Sequence, residues 1–234
     1  MRTLKSVAIL QSSYIPWKGY FDLIGKVDEF ILLDDVQFTK RDWRSRNLIK
    51  TPSGLSWLTI PVEVKGKYEQ RICDTRVADA GWARKHWSTI RHNYVRAPHF
   101  AQYEAVFSAL YLGDLPPLLS EINYRFIDAI CAVLAIRTRK RWSMEFSVSE
   151  DRNDRLIELC KAVGGTRYLS GPAARDYLDE PRFKAAGIEV SWMEYAGYPE
   201  YKQLHGPFTH GVSILDLIFN VGPEARSCMK TVHG

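Results

Sequence analysis

The chain reads as a mixed α/β protein, and three features say so. "SVAIL" (6–10) and "EFILLDD" (29–35) are short apolar runs, typical of buried strands, and they flank a stretch that suits a helix. Two further strand-like runs meet at Pro52-Ser53-Gly54, which is turn chemistry for a β-hairpin. From about residue 139 onward, strand and helix signals alternate. A chain of 234 residues has ample length for one large core. The expectation is a single α/β domain over 1–234, with the hairpin and a mostly helical insertion near 79–136.

In chain order, residues 4–10 make the first strand. "KGYFDLIGK" (18–26) makes a short helix with Phe21 and Ile24 on one face, and 29–35 the second strand. "NLIKT" and "LSWLTIPVEV" form the hairpin, and "QRICDTRVA" is expected to add a strand. Trp82, His86, Ile90 and Tyr94 recur at helical spacing over 79–95. Helices follow at 98–112 and 116–136, divided by Gly113 and Pro116-Pro117. "RKRWSMEF" returns to strand. "RNDRLIELCKAVGG" is an amphipathic helix closed by Gly164-Gly165, and "TRYLSG" is a strand. The stretch 172–187 is helical in pieces, broken at Pro181. "IEVSWMEY" is a strand, and "SILDLIFNVG" a last helix with a glycine stop.

Composition narrows the function classes. With 46% hydrophobic and 25% charged residues the chain is an ordinary globular one, not a disordered or fibrous one. Thirty-two basic against 27 acidic residues leave +5, which favours an anionic partner such as phosphate, nucleotide or RNA. The cysteines at 73, 131, 160 and 228 form no CxxC pair, so a zinc knuckle or thioredoxin motif is not indicated. They fit free thiols in a reducing cytoplasm, the expected location. The N-terminus has too short an apolar run for a signal peptide, and no segment is long and apolar enough to span a bilayer. The six histidines (86, 92, 99, 205, 210, 233) give no helical metal pair. No P-loop, GxGxxG, GxSxG or HExxH is present, so no cofactor is named and no metal ligand assigned.

Chemistry concentrates in two segments. "QSSYIPWKGYF" follows the first strand, at the strand end where open α/β sheets bind ligands. Gln11, Tyr14, Trp17 and Lys18 are its candidate binding residues. Pro16 fixes the backbone, and Gly19 allows a close approach. "DDVQFTKRDWRSRNLIK" adds Gln37, Lys40, Arg41, Arg44, Arg46 and Asn47, with Trp43 among them. Arginine forks suit phosphate or carboxylate, and the bland alternative is a solvated basic face. Asp34 and Asp35 alternate across a strand, so they are not a two-carboxylate pair. One of them is a candidate general base, magnesium ligand or structural ion-pair partner. His86 is a candidate acid–base or orienting group, or a hydrogen-bonded core histidine. Tyr94, two helical turns on, shares its face.

"LQSSYIPWKGYFDLI", "DDVQFTKRDWRSRNLIKTPSGLSWLTIPV", "NYVRAPHF" and "SILDLIFNVG" together resemble the WbqC-like family over almost the whole chain. Members often read Gln-Ser-Asn-Tyr or His-Gln-Pro-Asn-Tyr in the first motif. Here Leu10 and Ser13 stand at the His and Asn positions. The resemblance implies a bacterial, enzymatic protein of surface-polysaccharide (O-antigen-type) assembly. The expectation is a transferase acting on a phosphorylated or nucleotide-activated small molecule. An RNA- or nucleotide-binding module and a non-catalytic scaffold for glycan assembly are the alternatives.

Overall fold

The computed structural model describes residues 4–230. His233 lies outside them. Five parallel strands form one sheet: β1 (Ser6–Leu10), β2 (Glu29–Leu32), β5 (Arg139–Trp142), β6 (Arg167–Ser170) and β7 (Glu189–Trp192). Their spatial order is β5-β2-β1-β6-β7. A separate antiparallel hairpin joins β3 (Arg46–Thr51) to β4 (Gly54–Thr59). The fold class is mixed α/β, as the alternating signals imply.

Both faces of the central strands β1 and β2 are covered, which is why these two are mostly apolar, while the edge strands β5 and β7 carry charged residues. Val7 and Ile9 of β1 and Ile31 of β2 pack against Leu156, Leu159 and Cys160 of α5 (Arg152–Ala162) and Phe183 of α6 (Glu180–Ala185). Ala8, Phe30 and Leu32 belong to the larger cluster on the other face. That cluster takes in α1 (Lys18–Gly25), α2 (Trp82–Tyr94), α3 (Phe100–Leu112), α4 (Leu119–Val133) and α7 (Ile214–Val221). α1 is buried on all sides from Lys18 to Ile24, beyond the single apolar face its spacing suggests. Phe21 is fully buried there, a contribution of roughly 2–3 kcal/mol.

The helix ends follow local chemistry. Asp151 caps α5 by accepting from the N–H groups of Asn153 and Asp154 at 3.0 Å. Ser213 caps α7, and Gly222 closes it at φ +67°. Pro181 does not break a helix: it sits in the first turn of α6, behind the Asp179 cap, where no N–H is needed. The expected strand at 70–78 is instead a 3₁₀ turn (Ile72–Asp74) between single bridges, Gln37–Arg71 and Val62–Val77. The segment threads between 34–38 on one side and 61–63 on the other, so neither neighbour pairs with it for long. Among the described residues no helix is long and apolar enough to cross a membrane.

Candidate functional site

The chain leaves β1 toward β2, and returns from β5 past both to place β6 on β1's other side. This strand order reverses at β1 and β6, and an open α/β sheet holds its ligand outside the carboxyl ends at that point. A cleft of about 410 Å³ lies there. Its apolar lining comes from Ile9, Leu10, Leu33, Val36 and Leu156, and its polar lining from Gln11, Gln37, Glu150, Arg152, Arg155, Tyr168 and Tyr177. The volume falls in the range of small-molecule sites.

Arg152 and Arg155 lie three residues apart in the first turn of α5, on one helix face. The Arg152 guanidinium rests over the Tyr177 ring, 4.7 Å from its centroid. Arg155 Nε–H donates to the Ser149 carbonyl at 2.9 Å, which fixes the fork's direction. The acids of the same turn are engaged elsewhere: Asp151 and Asp154 pair with Arg182. Among the described residues neither Arg152 nor Arg155 has a carboxylate partner. Burial holds the Tyr168 phenol far above its usual pKa, so it stays a neutral hydrogen-bonding group.

The loop between β1 and α1 is itself interior: residues 12–16 are all buried. A buried loop must satisfy its own backbone. The basic stretch does this. Arg44 Nη1 donates to the carbonyls of Gln11 and Ser12, both at 3.2 Å, and to Ser13 Oγ at 3.0 Å. Asn47 Nδ2 donates to the carbonyls of Tyr14 and Ile15 at 3.0 Å. Tyr14 N–H donates to the Trp43 carbonyl at 3.0 Å.

Asp34 completes this frame. Its Oδ1 accepts from Ser12 N–H at 2.8 Å and its Oδ2 from the Ser120 hydroxyl. Burial raises its pKa against the pull of these donors. Asp35 faces elsewhere and accepts from Ser143 Oγ at 2.5 Å. Asn123 bridges Ser12 Oγ and the Arg44 carbonyl.

His86 lies deeper in the same core. Its Nε2 meets the Thr59 carbonyl at 3.1 Å, so Nε2 carries the proton and Nδ1 accepts from the Tyr14 hydroxyl at 2.9 Å. Tyr111 Oη is 2.6 Å from Tyr14 Oη and closes the chain. Burial pulls the His86 pKa down to about 4, so the ring is neutral at pH 7. Tyr94 Oη donates to Asp216 Oδ2 at 2.9 Å and accepts from Lys50 N–H.

Trp17 and Lys18 pack on the other face of the sheet. Trp17 lies edge-on to Tyr195 and Tyr198. Lys18 Nζ sits 4.8 Å from the Tyr198 ring centroid and donates to the Pro199 carbonyl at 3.2 Å. Desolvation lowers its pKa. Gly19 is needed because Trp17 folds back on it: a Cβ there would lie 2.3 Å from the indole.

So the residues predicted as a site do not meet in one cleft. Gln11 and Gln37 line it. Arg44, Asn47 and Asp34 bond to the loop that begins at Gln11. Tyr14, His86 and Tyr94 lie in the core on the side of the larger cluster, Trp17 packs against Tyr195 and Tyr198, and Lys18 against Tyr198. Lys40 and Arg41 are exposed, and Arg46 lies over Trp57. Arg152, Arg155 and Tyr177 were not singled out from the sequence. Their one signal is "RNDR", two arginines at i and i+3 in the first turn of a helix.

The WbqC-like protein family matches residues 11–228. The chain belongs to that family. A Mycobacterium tuberculosis protein described as uncharacterized protein Rv1507c is 50% identical over 227 residues, covering 97% of this chain and 98% of its own length. No solved structure matches. Two departures noted in the WbqC-like first motif now have places. Ser13 Oγ accepts from Arg44 Nη1, and Leu10 contributes apolar lining to the cleft.

Proposed function

We propose that this WbqC-like protein is a transferase that modifies a nucleotide-activated sugar or related phosphorylated precursor in surface-polysaccharide assembly. The precursor occupies the cleft at the ends of β1 and β6. The observation that carries this reading is the pair of guanidinium groups, Arg152 and Arg155, left without carboxylates at the mouth of that cleft. Forks of this kind bind phosphate oxygens in bidentate fashion. Tyr177 holds Arg152 in position beforehand, which lowers the ordering cost of binding.

Gln11 and Gln37 offer amides to the sugar or base, and the apolar floor of Ile9 and Leu156 takes a ring face. Glu150 is the carboxylate lining the cleft and is the residue assigned to accept a proton from the acceptor.

A thermal-shift panel of nucleotide sugars tests this. A true ligand at a hundred times its dissociation constant adds about 2.7 kcal/mol to stability. Arg155→Ala is expected to weaken that ligand about ten-fold while leaving the unliganded melting temperature within about 3 °C. A panel without a single stabilising nucleotide sugar, or a ligand indifferent to Arg155→Ala, would end the proposal.

A further inference from the structure

The hairpin side of the molecule carries a second concentration of rings and cations, and these face water. Trp43 and Trp57 are 45% and 43% exposed, and Tyr68 is 74% exposed. The two indoles lean on each other at 41° with centroids 5.4 Å apart. Arg46 lays its guanidinium 4.1 Å over Trp57, and Lys40 Nζ lies 4.9 Å from the Tyr68 centroid. Among the described residues Lys40, Arg41 and Arg46 make no ion pair, and Arg46 Nε is covered without a hydrogen-bond partner. A surface that keeps several large rings in water is marked for a partner.

These groups form a strip. Lys40, Arg41 and Trp43 share one segment, and Trp43 touches Trp57 of β4. At the other end Gln37, which lines the cleft, donates from Nε2 to the Tyr68 carbonyl at 2.9 Å. The strip therefore starts at the rim of the cleft and runs to the hairpin.

Its chemistry selects among polymers. A saccharide chain needs planar polar side chains beside the rings to take its hydroxyl groups. The carboxylate within 38–46 is Asp42, and it is occupied by Trp43 N–H at 2.6 Å and Arg44 at 3.6 Å. The Asn47 amide is buried on loop carbonyls. The ring and cations exposed on this segment are Trp43, Lys40 and Arg41, and the Gln37 amide nitrogen at its end is taken by the Tyr68 carbonyl. Rings and cations side by side suit a chain that carries planar bases and phosphates. Exposed indoles need unstacked bases, so a duplex does not fit. We propose that the Tyr68–Lys40–Trp43–Trp57–Arg46 strip binds single-stranded nucleic acid.

Fluorescence anisotropy of a labelled oligouridylate of about twelve nucleotides decides it, at two salt concentrations, beside a duplex of equal length and an acidic oligosaccharide. Wild type is expected to bind the single strand in preference to both. Trp57→Ala should weaken it about ten-fold. Arg46→Ala should reduce the slope of log K against log salt by about one, while Arg46→Lys retains it. Circular dichroism melts check that each variant is folded. If Trp57→Ala fails that check, Trp43→Ala, outside the hairpin strands, carries the same comparison. No binding to the single strand overturns the proposal. So do equal binding of the duplex, preference for the oligosaccharide, and full affinity in both folded tryptophan variants.

Discussion

The loop after β1 has two sides, and their polar groups do opposite things. Behind it, Arg44, Asn47, Asp34 and the Tyr14–His86 pair are bonded to the chain itself. In front of it, Arg152 and Arg155 line a cleft and, among the described residues, form no ion pair with a carboxylate, Glu150 of the same lining included. Both sides are rich in cations and rings. What separates them is whether a buried carbonyl lies within reach: an interior loop takes every donor it can find, and only donors beyond its reach remain for a ligand.

Three changes break or sharpen this contrast. Arg44→Ala should have the largest effect. It strips donors from two loop carbonyls and Ser13, and removes a positive charge that favours the ionised form of Asp34. A loss on the order of 3–5 kcal/mol is expected in denaturant unfolding, because buried partners are left unsatisfied. An unchanged midpoint would mean that the loop is not held as described.

His86 comes next and shows itself through pH. Its pKa is about 4 in the fold against 6.5 as a free side chain, so below pH 6.5 the unfolded chain takes a proton that the native ring refuses. Its contribution is therefore complete above about pH 6.5 and declines as pH falls toward 4. Roughly 2 kcal/mol should disappear between about pH 7 and pH 5. His86→Gln should flatten that part of the profile, and an equally steep profile in the variant would contradict the buried neutral ring.

The smallest effect belongs to the cleft side. Tyr177→Ala removes the ring under Arg152 and should weaken a phosphorylated ligand about two- to five-fold, the scale of an exposed cation–π contact. Unfolding should not change, since Tyr177 is nearly half exposed. A calorimetric titration reads the first and a melt the second.

These contrasts explain what the sequence could and could not say. Strand and helix periodicity carried the sheet, because β1, β2 and the helices each bury a continuous apolar set. The hairpin was legible from two strand-like runs that meet at Pro52-Ser53-Gly54. The site was not. An arginine bound to a carbonyl and one bound to a phosphate are the same letter, and "TKRDWRSRNLIK" holds both a clamp (Arg44) and exposed cations (Lys40, Arg41). Arg152 and Arg155 carry no mark of a site in the sequence, where Asp151 and Asp154 stand beside them as ready partners. Only the position of Arg182, about 30 residues on, shows those acids to be occupied elsewhere.

The long return from β5 to β6 has a consequence for how the chain is made. Residues up to Trp142 suffice for three adjacent strands, β5-β2-β1. One face of that partial sheet, with Val7, Ile9 and Ile31, is covered by α5, which begins only at Arg152. During synthesis this face stays open until the last third of the chain emerges, and nascent chains stalled before residue 152 should be chaperone clients prone to self-association.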